Sequence, residues 1–499
     1  MKKDITALLF ALLALSGYAN IAADLPATSP ASIDPAPVSA DAPLKMGSEA
    51  VGKVDRKFFG SNFLYWLENR ATLADSKIET MVKALPLTLL RYPGGTVADN
   101  FHWATTQLDN PNRFPFITPA EAPDMSTFDD FMAFCRRTGA EPIVVVNTES
   151  WMLHDDAEGG IREAVEWVRY CKTNGYKVKY WEIGNETYWH PVMTAREYGA
   201  LAKRYSQAMK AADPSIIVSA NGHWDLNQAG AKERFPQEEW ASIRRRLASI
   251  AGSADDKAAK KYIEDTRGAN QSDEKWWNNV LEECGMDIDM LSVHWYFNKN
   301  NVPFIDKKLV ELKEFAKAKT GRDYILCISE YNCNSENQNN GWGLAEGVCR
   351  MLNAGVTMAN FWPMRMGGEP SRRSLLTNDD RKEPLYPYLI LKMFSDNFNG
   401  DIVKCSSTEN LFLFATKSDS QITLVVTANG NGRKSAAEGD CEIAFDADAA
   451  KGRVVSVNAF STDEAGALNS FQPKYIIKSN GMQLHIAPAT FTMIIIRRD

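Results

Sequence analysis

The sequence predicts a (β/α)8 TIM barrel followed by a C-terminal antiparallel β-sandwich. Between residues 58 and 362, eight short apolar runs alternate with segments of helical period, as expected for parallel strands that are covered on both faces. After Lys392 the segments become short and β-branched, and turn residues separate them at spacings near ten, which is typical of a sandwich. A doubly wound open sheet would also alternate strands with helices, but the motifs at the ends of the runs favour the barrel.

Each predicted barrel strand is a short apolar run, and the runs cover 58–63, 87–92, 142–147, 179–184, 215–220, a stretch that begins near 286, 324–329 and 358–362. Helical periodicity is clearest at 128–139, 161–175, 195–213 and 344–356. We therefore assign the barrel to residues 44–396 and the sandwich to residues 397–499. Residues 45–54 are a candidate edge strand of the sandwich.

The N-terminus has the layout of a secretory signal peptide. Lys2 and Lys3 precede an apolar run at 5–15, which is too short to span a membrane, and small residues follow it. Residues 1–23 are accordingly predicted to be a signal peptide, and residues 24–43, rich in Pro, Ala and Ser, a linker. The expected location is the periplasm or the extracellular medium.

Composition and motif searches exclude several classes of protein. Lys and Arg number 56 against 63 Asp and Glu, which gives a net charge of −7 and argues against a nucleic-acid binder. The spacings of zinc ligands and the glycine-rich loops of nucleotide sites do not occur, so neither a metal nor a cofactor is expected. Eight cysteines in a chain this long are not a disulfide framework, although an oxidised pair of Cys327 and Cys333 stays open, as does the oligomeric state.

One predicted connection is out of proportion to the others. About 65 residues separate the fifth run from the sixth, and the stretch at about 225–285 contains a charged helical pattern. Loops of this size are usually functional or disordered. On a barrel this connection starts at the catalytic face, so a lid and a solvated pair of surface helices are equal alternatives.

Two carboxylates follow apolar runs at the ends where a barrel builds its active site. Asn185 and Glu186 end the fourth run, and Glu330 ends the seventh. Strands four and seven are three apart in a ring of eight, so both side chains can flank one bound group. Retaining hydrolysis of a glycosidic bond needs such a pair. Taken singly, either glutamate could instead form a salt bridge or cap a helix.

These motifs resemble those of the clan A glycoside hydrolases, and the barrel-plus-sandwich layout is most similar to the α-L-arabinofuranosidases of glycoside hydrolase family 51. Besides the Asn-Glu pair on strand four, the LRYPGG segment at 90–95 with Phe101 and Trp103 matches the strand-two signature of that family. Ser292, Val293, His294 and Tyr296 match its strand-six pattern, and residues 486–496 match the closing strand of its sandwich. The resemblance covers about residues 45–499.

The resemblance implies a role for each matched residue. Glu186 would be the acid/base and Glu330 the nucleophile, while Asn185 would bind the 2-hydroxyl of the sugar. The remaining expected substrate-binding residues are Arg91 beside the nucleophile, His294 on the wall, Tyr296 as the group that orients the nucleophile, Trp362 as an aromatic floor, and Asn62 and Trp103. The expected partner is a plant or algal polysaccharide or oligosaccharide.

The departures from the family pattern bear on the substrate. Where the family has a sugar-binding glutamate on strand one, this chain has Ser61, Asn62 and Tyr65, and Glu68 comes two or three residues late. Thr96 replaces the asparagine after the paired glycines. Many aromatic residues lie near the predicted mouth, and Trp151 beside Glu149 is a candidate subsite wall. An endo-acting β-glycanase of the same clan and a non-catalytic carbohydrate-binding protein are therefore kept as alternatives.

Overall fold

The computed structural model describes residues 43–111, 114, 116–117, 124–189, 192–227, 229–231, 271–298, 301–333, 341–366, 374–408, 410–428 and 438–498. The predicted signal peptide and nearly all of the predicted linker lie outside these residues, as does most of the long connection after the fifth run. Within the described part of the chain, no helix has the length and apolar character needed to cross a membrane.

The strands are numbered here in chain order. They are β1 (Leu44–Lys53), β2 (Gly60–Asn62), β3 (Leu89–Tyr92), β4 (Phe101–His102), β5 (Gln107–Leu108), β6 (Glu141–Val146), β7 (Tyr180–Ile183), β8 (Ile217–His223), β9 (Ala229–Ala231), β10 (Gln271–Lys275), β11 (Met290–Phe297), β12 (Ile325–Cys333), β13 (Met358–Phe361), β14 (Asp401–Ser406), β15 (Leu411–Lys417), β16 (Gln421–Ala428), β17 (Gly439–Ala444), β18 (Arg453–Thr462), β19 (Leu468–Phe471), β20 (Tyr475–Lys478), β21 (Gly481–Ile486) and β22 (Phe491–Arg497).

The α-helices are numbered in the same way. They are α1 (Arg70–Ala74), α2 (Ser76–Ala84), α3 (Phe128–Thr138), α4 (Glu149–Leu153), α5 (Ala157–Thr173), α6 (Ala195–Ala212), α7 (Trp276–Cys284), α8 (Ile305–Thr320), α9 (Gly341–Asn353), α10 (Tyr386–Asn397) and α11 (Ala447–Lys451). Short 3-10 helices cover Arg56–Phe58, Gly95–Asn100 and Val302–Phe304.

Eight parallel strands close into a barrel in the order β2, β3, β6, β7, β8, β11, β12, β13, and β13 pairs back to β2. The fold prediction is confirmed, because each predicted run supplies one of these strands. The strands read as continuous apolar runs because helices cover their outer face while side chains fill the interior. A buried interior layer comes from six of the strands, and it consists of Leu89, Ile143, Tyr180, Met290, Cys327 and Met358.

Helix boundaries follow local capping chemistry. At the start of α3, Thr127 and Asp130 form a reciprocal capping box, and Gly139 ends the helix in the left-handed conformation. Thr194 and Glu197 form the same box at the start of α6. These caps fix where the outer helices begin, and so they fix the lengths of the loops at the mouth of the barrel.

The second unit is a curled ten-stranded sheet, with the order β19-β18-β22-β16-β15-β14-β1-β17-β21-β20. The N-terminal strand β1 lies inside this sheet, antiparallel to β14 and parallel to β17. Leu44 and Met46 of β1 are buried in its core together with β-branched residues of β16 and β22. The chain therefore begins in the sheet, passes through the barrel and returns to the sheet.

The sheet packs on the barrel through α9. Glu346 of this helix is fully buried, pairs with Arg350 at 2.7 Å and accepts a hydrogen bond from Thr427 of β16 at 2.6 Å. The Arg350 guanidinium lies 4.1 Å from the ring centre of Phe412 on β15. Charge and aromatic contacts thus join the two units at a buried boundary.

All eight cysteines are free thiols. Cys327 and Cys333 are both buried in β12 and are not joined in a disulfide. The oxidised pair that the sequence left open is therefore not formed.

Candidate active site

The polar side chains of interest meet at the carboxyl ends of the barrel strands. Asn62 ends β2 and Arg91 lies in β3, and the turn after β7 carries Asn185 and Glu186. Further around the mouth, β11 supplies His294 and Tyr296, β12 supplies Glu330, and Trp362 follows β13, which lies next to β2. The barrel register brings these residues together although up to 300 positions separate them in the chain.

Glu186 and Glu330 face each other across His294. The Nδ1 atom of His294 lies 2.9 Å from Glu186 Oε1 and 3.4 Å from Glu330 Oε2. One oxygen of each carboxylate and a ring nitrogen of His294 all lie within 4.8 Å of one another. Carboxyl groups about 5–5.5 Å apart are typical of retaining glycosidases, whereas inverting enzymes need about 6.5–9.5 Å for an intervening water. This separation belongs to the retaining class.

The turn that carries Glu186 is held in an unusual backbone conformation. Gly184 has a φ of +68°, and a Cβ there would lie 2.5 Å from Thr148 Oγ1. Glu186 itself has a φ of +47°, which is uncommon for a residue other than glycine and marks a site where strain is held by its surroundings. The backbone N–H of Asn185 donates to Asp99 at 3.1 Å, which helps to fix the turn.

Arg91 forms hydrogen bonds with four side chains of the site. Its Nη1 donates to Glu330 Oε1 at 2.8 Å and to Asn62 Oδ1 at 3.0 Å, and its Nη2 donates to Asn185 Oδ1 at 2.8 Å. Its Nε donates to Glu182 Oε2 at 2.7 Å. The guanidinium is fully buried, so each of these bonds is made away from solvent.

Sequence reasoning missed Glu182. It lies in β7, within the same WEIGNE segment that supplied Asn185 and Glu186, and its side chain is fully buried. The available signal was a carboxylate in the middle of an apolar barrel strand. Because a buried charge needs a partner, that position demands a cation from another strand.

Burial and charge act on Glu330 in opposite directions. Burial raises the pKa of Glu330, and the negative charge of Glu186 acts in the same direction. The positive charges of His294 and Arg91 and the hydrogen bond donated by Tyr296 lower it, but the net direction is upward. Arg91 therefore acts to lower the pKa of the Glu330 carboxyl, without outweighing burial.

The carboxylates of Glu330 and Glu186 also change the pKa of His294. Burial lowers the pKa of His294, but Glu330 and Glu186 together outweigh burial, so that its pKa lies above the usual value. The imidazole is therefore predisposed to carry a proton between the two glutamates. The three groups could also ligate a cation, yet the guanidinium 2.8 Å from Glu330 opposes a second positive charge there.

Two buried polar atoms in the site are left open for a ligand. Asn185 Nδ2 and His294 Nε2 have no hydrogen-bond partner among the described residues. Buried donors are rarely left unsatisfied. Both atoms are therefore candidates to bind the hydroxyl groups of a substrate.

The two predicted aromatic residues differ in their placement. Trp362 is partly exposed, and it packs on Gly95 so closely that a Cβ on the glycine would lie 2.6 Å from the indole ring. Trp103 instead stacks on Trp167 of α5, with ring centres 5.5 Å apart, and its Nε1 donates to the Glu163 carbonyl. The hairpin of β4 and β5 turns Trp103 toward the outer helix layer. The contacts of Trp103 thus differ from those expected of a sugar-binding residue.

The first barrel strand is β2, and the carboxylate that follows it, Glu68, is not open to a ligand. Glu68 is fully buried, accepts from the Leu64 N–H at 2.7 Å and pairs with Arg365 at 3.2 Å. Burial raises the pKa of Glu68 to about 7. Asn62 is also engaged, because its amide donates to the Ser329 carbonyl at 3.0 Å while its oxygen accepts from Arg91.

Glu149 and Trp151 follow the third barrel strand, β6. Glu149 is buried at the start of α4. The Trp151 Nε1 donates to Glu163 Oε2 at 2.7 Å, and its ring lies edge-on to His102 at 5.5 Å. Trp151 therefore braces the β4–β5 hairpin against α5.

Parts of the chain are similar to known proteins. The family model described as the alpha-L-arabinofuranosidase 1 domain matches residues 81–246. A curated intracellular exo-alpha-(1->5)-L-arabinofuranosidase of Acetivibrio thermocellus is 26% identical over 355 residues, which is 59% of this chain and 60% of that protein. A probable alpha-L-arabinofuranosidase C of Aspergillus niger is 30% identical over 172 residues, which is 29% of this chain and 32% of that protein. The chain thus aligns with about a third of the length of the Aspergillus relatives.

Solved structures share the whole architecture. The arabinofuranosidase of Thermotoga maritima superposes with a TM-score of 0.62 at 17% identity, covering 91% of this chain and 99% of that one. A family 51 enzyme of Bifidobacterium longum gives a TM-score of 0.64 at 14% identity, covering 92% and 100%. At these identities the likeness shows the fold.

Together these findings show that the chain is similar to the clan A glycoside hydrolases, which have a TIM barrel with carboxylates on barrel strands four and seven. Within that clan, the chain is related to the α-L-arabinofuranosidases of family 51. The resemblance noted from the sequence is confirmed.

The prediction of export is corrected by the same comparison. The Acetivibrio relative, which aligns over 59% of this chain, is named as an intracellular enzyme. A basic pair followed by an apolar run is a pattern of composition, and such a pattern does not by itself show that a segment is processed. The assignment to the periplasm or to the extracellular medium is therefore withdrawn.

Proposed function

We propose that this chain is a retaining glycoside hydrolase that removes α-L-arabinofuranosyl groups from plant or algal polysaccharides or oligosaccharides by double displacement. The observation that carries the proposal is the pair of buried carboxylates, Glu186 and Glu330, with oxygens within 4.8 Å at the mouth of the barrel. The family model and the curated relatives favour arabinofuranosides over the substrates of other clan A enzymes.

In the first step, Glu330 attacks the anomeric carbon while Glu186 gives its proton to the leaving oxygen. His294 assists this division of roles. With a proton on Nδ1, the imidazole donates to Glu186 Oε1, so the acid proton of Glu186 is directed to Oε2, away from the ring. The glycosyl group is then bound covalently to Glu330, and the leaving group departs as an alcohol.

In the second step, Glu186 accepts a proton from water, and the resulting oxygen nucleophile releases the sugar from Glu330. The two successive inversions retain the anomeric configuration. Asn185 Nδ2 donates to the 2-hydroxyl, a contact that strengthens in the transition state. Tyr296 and Arg91 each bond one oxygen of Glu330 and so hold the carboxylate in line with the anomeric carbon. Trp362 provides the face on which the sugar ring packs.

The test is a substrate panel with wild-type protein and Glu330→Gln. Aryl α-L-arabinofuranoside, β-D-xyloside and β-D-glucoside are assayed beside arabinan, arabinoxylan, xylan and xyloglucan. We expect release of arabinose from the first substrate and from arabinose-bearing polymers, and none by Glu330→Gln. Glu346→Gln is the matched control, because Glu346 is a buried carboxylate of α9 that bonds Arg350 and Thr427, and this variant should keep wild-type activity. Internal cleavage of a β-glycan would favour the endo-acting alternative, and binding without new reducing ends would favour a non-enzyme.

A further inference from the structure

Glu182 is a buried carboxylate that takes no direct part in the proposed reaction. Its Oε2 accepts from Arg91 Nε at 2.7 Å, and its Oε1 accepts from Ser329 Oγ at 3.1 Å. Both partners of the ion pair are fully buried. Buried ion pairs often contribute little more to stability than apolar residues of similar volume, so a gain in stability is weak grounds for this one.

Arg91 joins Glu182 to the site. The Nε edge of the guanidinium faces Glu182, while Nη1 faces Glu330 and Nη2 faces Asn185. Because the guanidinium is planar and its donors are fixed relative to one another, a bond at Nε sets the directions of the other donors. The same cation contacts both carboxylates, so the negative charge of Glu182 offsets part of the positive potential that Arg91 produces at Glu330.

We infer that Glu182 is a positioning residue, which orients Arg91 toward Glu330 and Asn185 and takes up part of the positive charge that would otherwise act on Glu330. The inference rests on the proposed function, in which Glu330 is the nucleophile. A nucleophile that a full neighbouring cation stabilises in the ground state attacks more slowly. Sharing Arg91 keeps Glu330 oriented without that penalty.

The effect of Glu182 on Glu330 adds to those of the other groups around Glu330. His294 and Tyr296 face it from β11, and Glu186 and Tyr188 face it from the segment after β7. On the side of Glu182 lies the Cys327 thiol, whose pKa is raised by burial. Among the described side chains that bond to Arg91, Glu182 and Glu330 are the two carboxylates.

The first test is the pH dependence of kcat/KM in Glu182→Gln. The amide still accepts from Arg91 Nε, and its NH2 can donate to Ser329 Oγ, so mainly the charge is lost. Glu330 then ionises more easily, because the negative charge of Glu182 no longer offsets the positive charge of Arg91. We expect the acidic limb to move to lower pH by about one unit and kcat to fall, with KM within about twofold because Glu182 does not touch the substrate.

Three further variants separate charge from packing. Glu182→Asp moves the carboxylate away from Arg91 by one methylene, so its acidic limb should lie between those of wild type and Glu182→Gln. Ser329→Ala removes a hydrogen bond but no charge, and Glu346→Gln removes a buried carboxylate elsewhere; both should keep the wild-type limb. The inference is overturned if the acidic limb of kcat/KM in Glu182→Gln lies at the same pH as in wild type, or if Glu346→Gln shifts the limb by the same amount as Glu182→Gln. Should Glu182→Gln not fold, an unshifted limb in Glu182→Asp overturns it.

A second readout does not depend on turnover. The carboxyl stretch of Glu330 is followed by infrared titration and assigned by its loss in Glu330→Gln. In Glu182→Gln this group should titrate at lower pH than in wild type. A shift in a protein that hydrolyses no glycoside would support the role of Glu182 while the proposed function fails. An active protein without the shift would overturn the role of Glu182 alone.

Discussion

At the scale of single residues, Arg91 donates hydrogen bonds to four side chains of the site. Its buried guanidinium bonds side chains from β2, from β7 with the turn after it, and from β12. It thereby sets the position of the proposed nucleophile and of the amide that would bind the 2-hydroxyl. Its loss should alter both the charge and the geometry of the site.

We expect Arg91→Met to move the acidic limb of kcat/KM to higher pH by about one to three units, because an adjacent cation lowers the pKa of a carboxyl by that amount. Glu330 attacks only when ionised, so a higher pKa removes activity at the acidic end. The free energy of unfolding should fall by about 3–5 kcal/mol, since two buried carboxylates lose their partner. Arg91→Lys, which keeps the charge, should move the limb less. An unmoved limb in a folded Arg91→Met would contradict this account of Arg91.

The site residues could be predicted because strand ends are readable from the sequence. Each apolar run ends at a recognisable position, and Asn62, Arg91, Glu186, Glu330 and Trp362 all lie within two residues of such an end. In the structure, β12 continues past Glu330 to Cys333. The structure brings these residues together, and their roles stay predictions. Glu182 could not be found in this way, because its partner comes from another strand. The contacts of Trp103 could not be read from the sequence, because the direction of the β4–β5 hairpin depends on packing against α5.

At the scale of elements, the turn between β7 and α6 determines where the proposed acid/base lies. Gly184 in the left-handed conformation lets the chain leave the strand beside Thr148. Asp99 then accepts a hydrogen bond from the backbone N–H of Asn185. Thr187 N–H donates to Asn221 of β8 at 3.0 Å. The turn is therefore held by Asp99 of the 3-10 helix after β3 and by Asn221 of β8.

Gly184→Ala should lower kcat by about tenfold or more, because a small misplacement of a catalytic group can cost up to about 10²-fold. The added methyl would meet Thr148 Oγ1 at 2.5 Å and Thr187 Oγ1 at 3.0 Å. Gly175→Ala is the matched control, since Gly175 has a φ of +67° and open space around its Cα. The control should lose about 1 kcal/mol of stability and keep wild-type kcat. Equal kcat values in the two variants would show that this turn does not set the position of Glu186.

Elements with strong periodicity could be predicted, and the connections could not. The barrel strands and the long helices each bury a continuous apolar face, so their pattern survives in one sequence. Strand β1 has exposed residues at most positions after Met46, and its place in the sheet depends on pairing with β14 and β17 far along the chain. The long stretch at about 225–285 lies mostly outside the described residues, so the choice between a lid and surface helices stays a prediction.

At the scale of the whole molecule, the barrel and the sheet share a buried boundary at α9. Glu346 satisfies Arg350 within the barrel and Thr427 of the sheet at the same time. Asp306 of α8 also bonds Arg350, at 3.1 Å. This network links the stability of the two units.

We expect Glu346→Leu to lower the free energy of unfolding by about 3–5 kcal/mol, because it leaves the buried Arg350 charge with one partner fewer. The acidic limb of kcat/KM should stay where it is. Glu442→Gln, which removes an exposed carboxylate paired with Lys478, should change stability by no more than about 1 kcal/mol. Urea unfolding of the three proteins, followed by two spectroscopic probes, measures the difference. A Glu346→Leu protein as stable as the control would show that the boundary does not depend on this pair.

The measurement that tests the central claim most directly is azide rescue of Glu186→Ala beside Glu330→Gly. An aryl α-L-arabinofuranoside with a good leaving group needs little protonation, so Glu186→Ala should still form the covalent intermediate, and azide should then attack it. We expect azide to speed Glu186→Ala and to give a glycosyl azide of the substrate's own anomeric configuration, while Glu330→Gly without azide shows no turnover. An inverted azide product from Glu186→Ala, or near wild-type turnover by Glu330→Gly, would contradict the assignment of Glu330 as nucleophile.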